Sequence, residues 1–194
     1  EGNTYTLLQT ESLFKEGKHT KGNTKAEAVM LLNHQAALDY VLNKPDYFRE
    51  LTVQKILEIH RFLTKGLGIP NKIRAGRVGI TGTNYKPLAK ANQIQKALQD
   101  LCDLINSKRN VLEKAFIALL LIAYIQPFED GNKRTARIIC NALLLPNKYC
   151  PISFRTVEPE DYRYATLLFY EQNSIPSFKK IFMEQLEFST ANYF

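Results

Sequence analysis

An uninterrupted run of eleven apolar residues, from Ala115 to Ile125, constrains the fold more than any other feature of this sequence. The wider segment 111–125 would be apolar on almost every side of a helix, which is typical of a helix buried in the middle of a protein. The run is too short to cross a bilayer, which takes about 20 apolar residues. We therefore predict a central helix that other elements of this 194-residue chain cover, and no association with a membrane.

Helical periodicity elsewhere in the chain supplies the covering elements. Thr24 and Thr52 are suited to cap two of these helices, because a threonine hydroxyl accepts hydrogen bonds from the free amides of a first turn. The predicted helices cover residues 24–43, 52–63, 92–106, 131–145, 158–173 and 176–190. With the central helix and an N-terminal helix within residues 1–22, we predict a mainly α fold, a bundle of about seven or eight helices.

Residues 73–87, which read IRAGRVGITGTNYKP, break the helical pattern and are called the flap segment here. Val78 and Ile80 give a short alternation of apolar residues, and glycines stand at positions 76, 79 and 82. Alternation interrupted by turn-forming residues is typical of a β-hairpin. We therefore predict one small β-hairpin inserted into the helical bundle.

The net charge of +7 is concentrated in one part of the chain. Residues 59–99 hold eight basic side chains and no acidic one, so the remainder is close to neutral. This concentration around the flap segment favours an anionic partner there, and the alternative is a solvated basic surface. A nucleic-acid partner is not expected, because the basic residues flank the predicted hairpin rather than line one recognition helix.

The three cysteines, Cys102, Cys140 and Cys150, are an odd number and form no CxxC pair. Disulfide frameworks and zinc sites use paired or closely spaced cysteines, so neither is predicted. A reducing compartment fits this pattern best, and we predict a cytoplasmic protein.

The central helix runs into residues 126–137, QPFEDGNKRTAR, after which a new helix is predicted. Pro127 ends the apolar helix, and Gly131 permits a tight turn of the backbone. The first turn of the next helix offers free N–H groups and the positive end of the helix dipole, which together favour an anion. Asn132 adds a side-chain donor.

Charged side chains in the same segment suit a phosphorylated ligand. Arg134 and Arg137 are three residues apart, so they share a helix face and can fork onto phosphate oxygens. Asp130 precedes them and can hold Mg²⁺ against the same phosphates. The segment therefore predicts a cradle for a nucleoside di- or triphosphate.

Residues 126–137 resemble the signature of the Fic (filamentation-induced-by-cAMP) family, H-P-F-x-[D/E]-G-N-[G/K]-R-x-x-R, at eleven of twelve positions. Residues 52–63 resemble the family's helix before the flap, including His60, and residues 73–87 resemble its target-docking hairpin. The opening EGNTYTL is similar to the end of the family's inhibitory motif, [S/T]-x-x-x-E-[G/N]. The chain is identified as a member of the Fic family, with residues 1–194 as a single Fic domain.

The resemblance implies transfer of AMP from Mg-ATP onto a Ser, Thr or Tyr hydroxyl of a target protein. Asp130 would ligate the Mg²⁺ ion. The nucleotide would be bound by Gly131, Asn132, Lys133, Arg134 and Arg137. The target would add a strand to the flap tip, at Gly79, Ile80, Thr81, Gly82, Thr83, Asn84 and Tyr85. The resemblance is also compatible with a homo-oligomer.

The same resemblance assigns Glu1 as an inhibitory glutamate, which would pair with Arg137 and displace the γ-phosphate. The family motif places a Ser or Thr four residues before this glutamate, upstream of the printed chain, which starts without a Met. We therefore expect the printed sequence to begin inside the inhibitory motif.

Gln126 is the departure from the signature, because it stands where the family has its general-base histidine. An imidazole can take the proton of an attacking hydroxyl near neutral pH, whereas a neutral amide cannot. General-base assistance is typically worth about 10²–10⁴ in rate. We therefore predict a transferase with impaired chemistry and an intact phosphate site.

The alternative is a nucleotide-binding regulatory or interaction module without turnover. The sequence leaves open whether Gln126 is natural or engineered, and which nucleotide is the donor. His60 is interpreted as a buried structural histidine rather than a substitute base, because it lies on an apolar helix face. Tyr85 is a candidate contact for adenine or for the target.

Overall fold

The computed structural model describes residues 5–16 and 24–193, and all regular secondary structure within them is helical. Two short 3₁₀ helices, Pro45–Phe48 and Leu145–Asn147, extend the ends of two of the longer helices. The α-helices are α1 (Leu7–Glu16), α2 (Lys25–Asn43), α3 (Val53–Thr64), α4 (Ala91–Ser107), α5 (Val111–Ile125), α6 (Asn132–Leu144), α7 (Pro159–Gln172) and α8 (Pro176–Tyr193). The prediction of a mainly α bundle of seven or eight helices is confirmed.

Threonine caps begin α2 and α3, as predicted. The Thr24 hydroxyl accepts a hydrogen bond from the Glu27 amide, and the Glu27 carboxylate accepts one from the Thr24 amide. The Thr52 hydroxyl accepts a hydrogen bond from the Lys55 amide. Each cap satisfies amides that have no partner inside the helix, so the local sequence fixes where these helices start.

The apolar helix α5 lies at the centre of the bundle, as its composition predicts. Ala115, Ala118, Leu119 and Ile122 are fully or almost fully buried. Its most extensive packing is against α6, and α4 covers another side. No helix in residues 5–16 and 24–193 combines the length and the apolar character that a membrane crossing requires.

The prediction of a β-hairpin is wrong, because no residue of the flap segment, residues 73–87, lies in a strand. The segment is an extended loop that turns at Gly82, where φ is +85°. A backbone hydrogen bond of 2.9 Å from the Gly76 amide to the Ala89 carbonyl closes its base. Glycines in a strand weaken pairing because they offer no side chain to pack and lose more entropy on ordering.

Two backbone amides of the flap segment donate to distant parts of the bundle rather than across a hairpin. The Arg74 amide donates to the Pro127 carbonyl at 3.0 Å, and the Asn84 amide donates to the Glu171 carboxylate at 3.1 Å. Pro87 has no N–H to donate. These partners lie far along the chain, so an alternation of apolar residues could not reveal them.

Candidate functional site

The loop between α5 and α6 turns through the left-handed region at both ends. Gln126 ends α5 with a φ of +51°, and Gly131 precedes α6 with a φ of +81°. Thr135 makes a helical bond of 2.8 Å to the Gly131 carbonyl. The amides of residues 132–134 lie ahead of this bond, in the first turn, where helix amides have no intrahelical partner.

Asn132 holds the loop together from inside α6. Its side-chain oxygen accepts a hydrogen bond from the Phe128 amide at 2.9 Å, and its amide nitrogen donates to the Phe128 carbonyl at 2.9 Å. The same nitrogen donates to the Gln126 side-chain oxygen at 3.0 Å. Asn132 is buried, so its side chain stabilises the loop rather than presenting the free donor that the sequence suggested.

Both polar atoms of the Gln126 side chain bond within the protein. Its amide nitrogen donates to the Ala123 carbonyl at 2.6 Å, while its oxygen accepts from Asn132. Its backbone carbonyl accepts a hydrogen bond of 2.6 Å from Arg74 Nε. Gln126 is therefore part of the loop's scaffold as well as a residue at the edge of the site.

His60, on α3, packs behind the loop and is fully buried, in agreement with its structural interpretation. Its ring stacks on Phe128 with centroids 3.7 Å apart. Nε2 lies 3.0 Å from the Asp130 carbonyl oxygen, and Nδ1 lies 3.1 Å from the side-chain oxygen of Asn71. Burial lowers the pKa of His60 from its ordinary value, so a neutral ring supports the loop.

Asp130 and Arg134 form an ion pair across the first turn of α6, at 2.8 Å. The Arg134 side chain is 9% exposed and the Asp130 side chain is 61% exposed, so the carboxylate faces outward. One Asp130 oxygen also accepts the Gly131 amide at 2.6 Å. No group of three or more His, Cys, Asp or Glu side chains with metal-binding geometry occurs in residues 5–16 and 24–193.

An outward-facing carboxylate of this kind fits Mg²⁺ held together with a nucleotide. In such sites Mg²⁺ takes one or two carboxylates and completes its shell with phosphate oxygens and water. Asp130 would supply the hard oxygen ligand, beside the first turn of a helix, whose free amides favour phosphate.

A cavity of about 840 Å³ opens in front of the α6 N-terminus. Its volume falls within the range of ligand sites, roughly 300–1,000 Å³. Its walls come from α2, the flap segment, the α5–α6 loop, α6 and α7. The lining residues are Met30, Gly79, Ile80, Thr81, Gln126, Glu129, Asp130, Asn132, Lys133, Arg134, Arg163, Thr166, Leu167 and Tyr170.

The tip of the flap segment is attached to α7. The Asn84 amide donates to Glu171, and the hydrogen bonds from Thr83 and Asn84 lower the pKa of this carboxyl. Tyr85 packs inward: its hydroxyl donates to the Tyr124 carbonyl at 3.0 Å, and its ring stacks on the Tyr124 ring with centroids 4.3 Å apart. Burial raises the pKa of the Tyr85 hydroxyl. Tyr85 is not among the residues that line the cavity in front of α6.

The sequence that contains this loop matches a known protein family. A model of the Fic/DOC family matches residues 50–144, which run from the residues before α3 to the end of α6 and include the whole loop. The chain belongs to the Fic/DOC family. The Fic-1 structure of Caenorhabditis elegans matches with a TM-score of 0.84 at 25% sequence identity, over 99% of this chain and 58% of that chain.

Two proteins similar to this Fic chain are known as protein adenylyltransferases. The chain is 27% identical over 204 residues to "Protein adenylyltransferase fic-1" of Caenorhabditis elegans, with 100% of this chain and 39% of that protein covered. It is 31% identical over 170 residues to "Protein adenylyltransferase Fic" of Nematostella vectensis, with 84% of this chain and 39% of that protein covered. This chain therefore spans about two fifths of the length of these relatives.

The two arginines of the Fic signature lie at different cavities. Arg134 lines the cavity in front of α6, whereas Arg137 lines a neighbouring cavity of about 710 Å³. The Arg137 guanidinium carbon lies 5.0 Å from the Tyr162 ring centroid and 5.4 Å from that of Phe154. Residues three apart on a helix differ by about 60° around the axis, which is enough to separate two long side chains. Glu1, the predicted partner of Arg137, lies outside the described residues.

The cavity also contains residues that sequence reasoning missed. The largest group comes from α7, at Arg163, Thr166, Leu167 and Tyr170. Their spacing of three, four and seven residues places them on one helix face, and that spacing is the signal that was available in the sequence. Nothing in the sequence alone showed that this face of α7 meets the loop between α5 and α6.

Arg74 is one of the eight basic residues within residues 59–99, but it is only 1% exposed. Its Nε donates to the Gln126 carbonyl, and its Nη1 donates to the Gly76 carbonyl at 2.6 Å. Arg74 therefore joins the flap segment to the loop between α5 and α6 and does not belong to the basic surface.

Proposed function

We propose that this chain binds Mg-ATP in the cavity in front of α6 and transfers AMP slowly to a hydroxyl side chain of a protein. The observation that carries the proposal is the cavity of about 840 Å³ that brings the first turn of α6 together with Asp130 and Arg134. The names of the adenylyltransferase relatives support the reaction type.

The first turn of α6 provides the phosphate-binding groups in this proposal. The amides of residues 132–134 and the helix dipole favour the phosphates, and Lys133 and Arg134 add positive charge at the same end of the helix. Asp130 would hold Mg²⁺, which neutralises developing phosphate charge when bound. Arg137 can join the outer phosphates, as the resemblance implies, after its guanidinium leaves the Tyr162 and Phe154 rings.

The transfer forms a bond between the target's hydroxyl oxygen and the α-phosphorus and breaks the bond to pyrophosphate, and the hydroxyl proton must leave. The Gln126 amide has no basic atom to accept that proton, and its two polar atoms already bond to Ala123 and Asn132. Water is then left as the acceptor. The rate loss relative to a general base is about 10²–10⁴.

Target docking at the flap segment is part of the same proposal. Exposed cations on its two arms, Arg77 and Lys86, favour an acidic surface on the target protein. The tip backbone from Gly79 to Tyr85 would pair with an extended target segment. The inhibitory pairing of Glu1 with Arg137, the homo-oligomer and the cytoplasmic location stay predictions.

The second candidate function is a nucleotide-binding module without turnover. The inward hydrogen bonds of Gln126 favour it, because they make this residue a scaffold element with no atom available for chemistry.

The test uses ATP labelled at the α-phosphate, a cell lysate, and three proteins: wild type, Gln126→His and Gln126→Ala. Slow labelling by wild type and strong labelling by Gln126→His, with Gln126→Ala no better than wild type, would support the transferase. If none of the three proteins labels a target, but ATP binding is retained in calorimetry, the result would support the binding module. Absence of ATP binding by the wild-type protein would overturn both candidates.

A further inference from the structure

We infer that Arg163, on α7 and outside the Fic signature, is an additional phosphate-binding residue of the nucleotide cavity. The inference rests on the proposed binding of ATP in this cavity. It adds a cation that the sequence motif does not contain.

One face of α7 forms a wall of the cavity, and that wall is anchored to the core. Arg163, Thr166, Leu167 and Tyr170 all line the cavity. Thr166 and Tyr170 are buried, and the Tyr170 hydroxyl donates to the Ala123 carbonyl on α5 at 2.9 Å. The backbone that carries Arg163 is therefore held in place, while its side chain is exposed and can reach a ligand.

The ion pairs around the cavity do not engage Arg163, so its charge is available to a bound phosphate. Of the three lining cations, Arg134 is paired with Asp130 at 2.8 Å. Lys133 and Arg163 make no ion pair with any residue in the described part of the chain. Arg137, the second arginine of the signature, lies over aromatic rings at the neighbouring cavity. Among the described residues, Arg163 is therefore the lining arginine that has no acidic partner, and it extends from α7 rather than from α6.

The Arg163 guanidinium packs against the tip of the flap segment. A Cβ atom added to Gly82 would lie 2.6 Å from Arg163 Nη2, so the guanidinium packs directly on the flap tip. Gly82 leaves the space that this contact needs, and its φ of +85° also favours glycine. Arg163 thus lies between the flap tip and the cavity interior.

A guanidinium in this place suits phosphate oxygens better than other parts of a nucleotide. It carries a positive charge and presents a planar fork of donors that matches phosphate. A nucleotide that draws Arg163 inward would also connect its phosphates to the flap segment, because the same side chain contacts Gly82.

The test measures binding of adenosine, AMP, ADP and ATP, with Mg²⁺, by calorimetry to wild type, Arg163→Ala and Arg163→Lys. Arg109→Ala is the matched control, since Arg109 is also exposed but lies between α4 and α5 and does not line the cavity. We expect Arg163→Ala to bind ATP about 5-fold more weakly, given the modest strength of exposed charged contacts. The loss should grow from AMP to ATP, adenosine binding should be unchanged, and Arg163→Lys should recover part of the loss.

Equal weakening for adenosine and ATP in Arg163→Ala would overturn the phosphate contact, and so would unchanged ATP binding. If Arg109→Ala weakens ATP binding as much as Arg163→Ala does, the phosphate contact would also be overturned, because the loss would then reflect the net charge of the protein. Failure of wild type to bind ATP would instead overturn the proposed function, and this inference with it. Unchanged melting temperatures would establish that the variants are folded.

Discussion

The side-chain oxygen of Gln126 accepts a hydrogen bond from the side-chain nitrogen of Asn132 at 3.0 Å, across the loop that joins α5 to α6. This contact links Gln126, at the position where the resemblance places a histidine, to Asn132, which holds the loop closed. It gives Gln126 a structural role that can be measured separately from catalysis.

The Gln126–Asn132 bond predicts coupling between substitutions at the two positions. In a double-mutant cycle with Gln126→Ala and Asn132→Ala, we expect a coupling free energy of unfolding of about 0.5–1.5 kcal/mol. Urea denaturation of the four proteins measures it. The control cycle pairs Gln126→Ala with Asn141→Ala, because Asn141 bonds to Ile152 and should be additive. Additivity in the first cycle would contradict the structural role.

The buried His60 predicts a loss of stability on acidification. Burial lowers its pKa in the native chain, while in the unfolded chain it titrates near its ordinary value of about 6.5. As pH falls through that value, the unfolded chain binds a proton that the native chain does not, so the free energy of unfolding decreases. Above about pH 6.5 the His60 contribution is fully present.

Denaturation at pH 7.5 and pH 5.5 of wild type and His60→Gln tests this dependence. The stability advantage of wild type over His60→Gln should shrink at the lower pH. Arg61→Gln, an exposed neighbour on the same helix, is the control whose effect should not change with pH. An advantage of wild type that stays constant or grows at pH 5.5 would refute the neutral, buried state of His60.

The left-handed turn at Gly131 predicts a cost for any side chain there. An added Cβ would make only ordinary contacts, 3.5 Å from His60 and Thr64, so the cost comes from the φ of +81°. Gly131→Ala should lower the free energy of unfolding by about 1–2 kcal/mol. Gly79→Ala is the matched control, because a Cβ there meets no atom within 4 Å. Equal thermal stability of the two variants would show that the turn tolerates alanine.

The contact between Asn84 and Glu171 predicts protection of a single flap amide. Glu171→Gln should speed hydrogen exchange of the Asn84 amide several-fold, because a neutral amide oxygen is a weaker acceptor than the carboxylate. Exchange followed by NMR measures it. Glu187→Gln, at an exposed position on α8, should leave that amide unchanged. An unaltered exchange rate in Glu171→Gln would mean that Glu171 does not hold the flap tip.

Most of the helical fold was predictable because helices are encoded by local patterns. The apolar composition of residues 111–125 predicted the central helix α5, and the Thr24 and Thr52 hydroxyls predicted where α2 and α3 begin. Each of these signals involves residues within a few positions of each other, at the repeat of the helix.

The candidate site was predictable only in part. The signature placed Asp130 and Arg134 together at the start of α6, because one helix turn joins them. The same spacing argument put Arg137 beside them, whereas packing against Tyr162 and Phe154 holds it at another cavity.

The sequence by itself determined the helices, their caps and the chemistry of the loop, since these depend on neighbouring residues. The tertiary structure decided that the flap segment is not a hairpin, that Arg74 is buried under the loop, and that α7 brings Arg163 to the cavity. In each case the partner lies dozens of residues away, and only packing of the bundle selects among the many groups that could satisfy the same donor or charge.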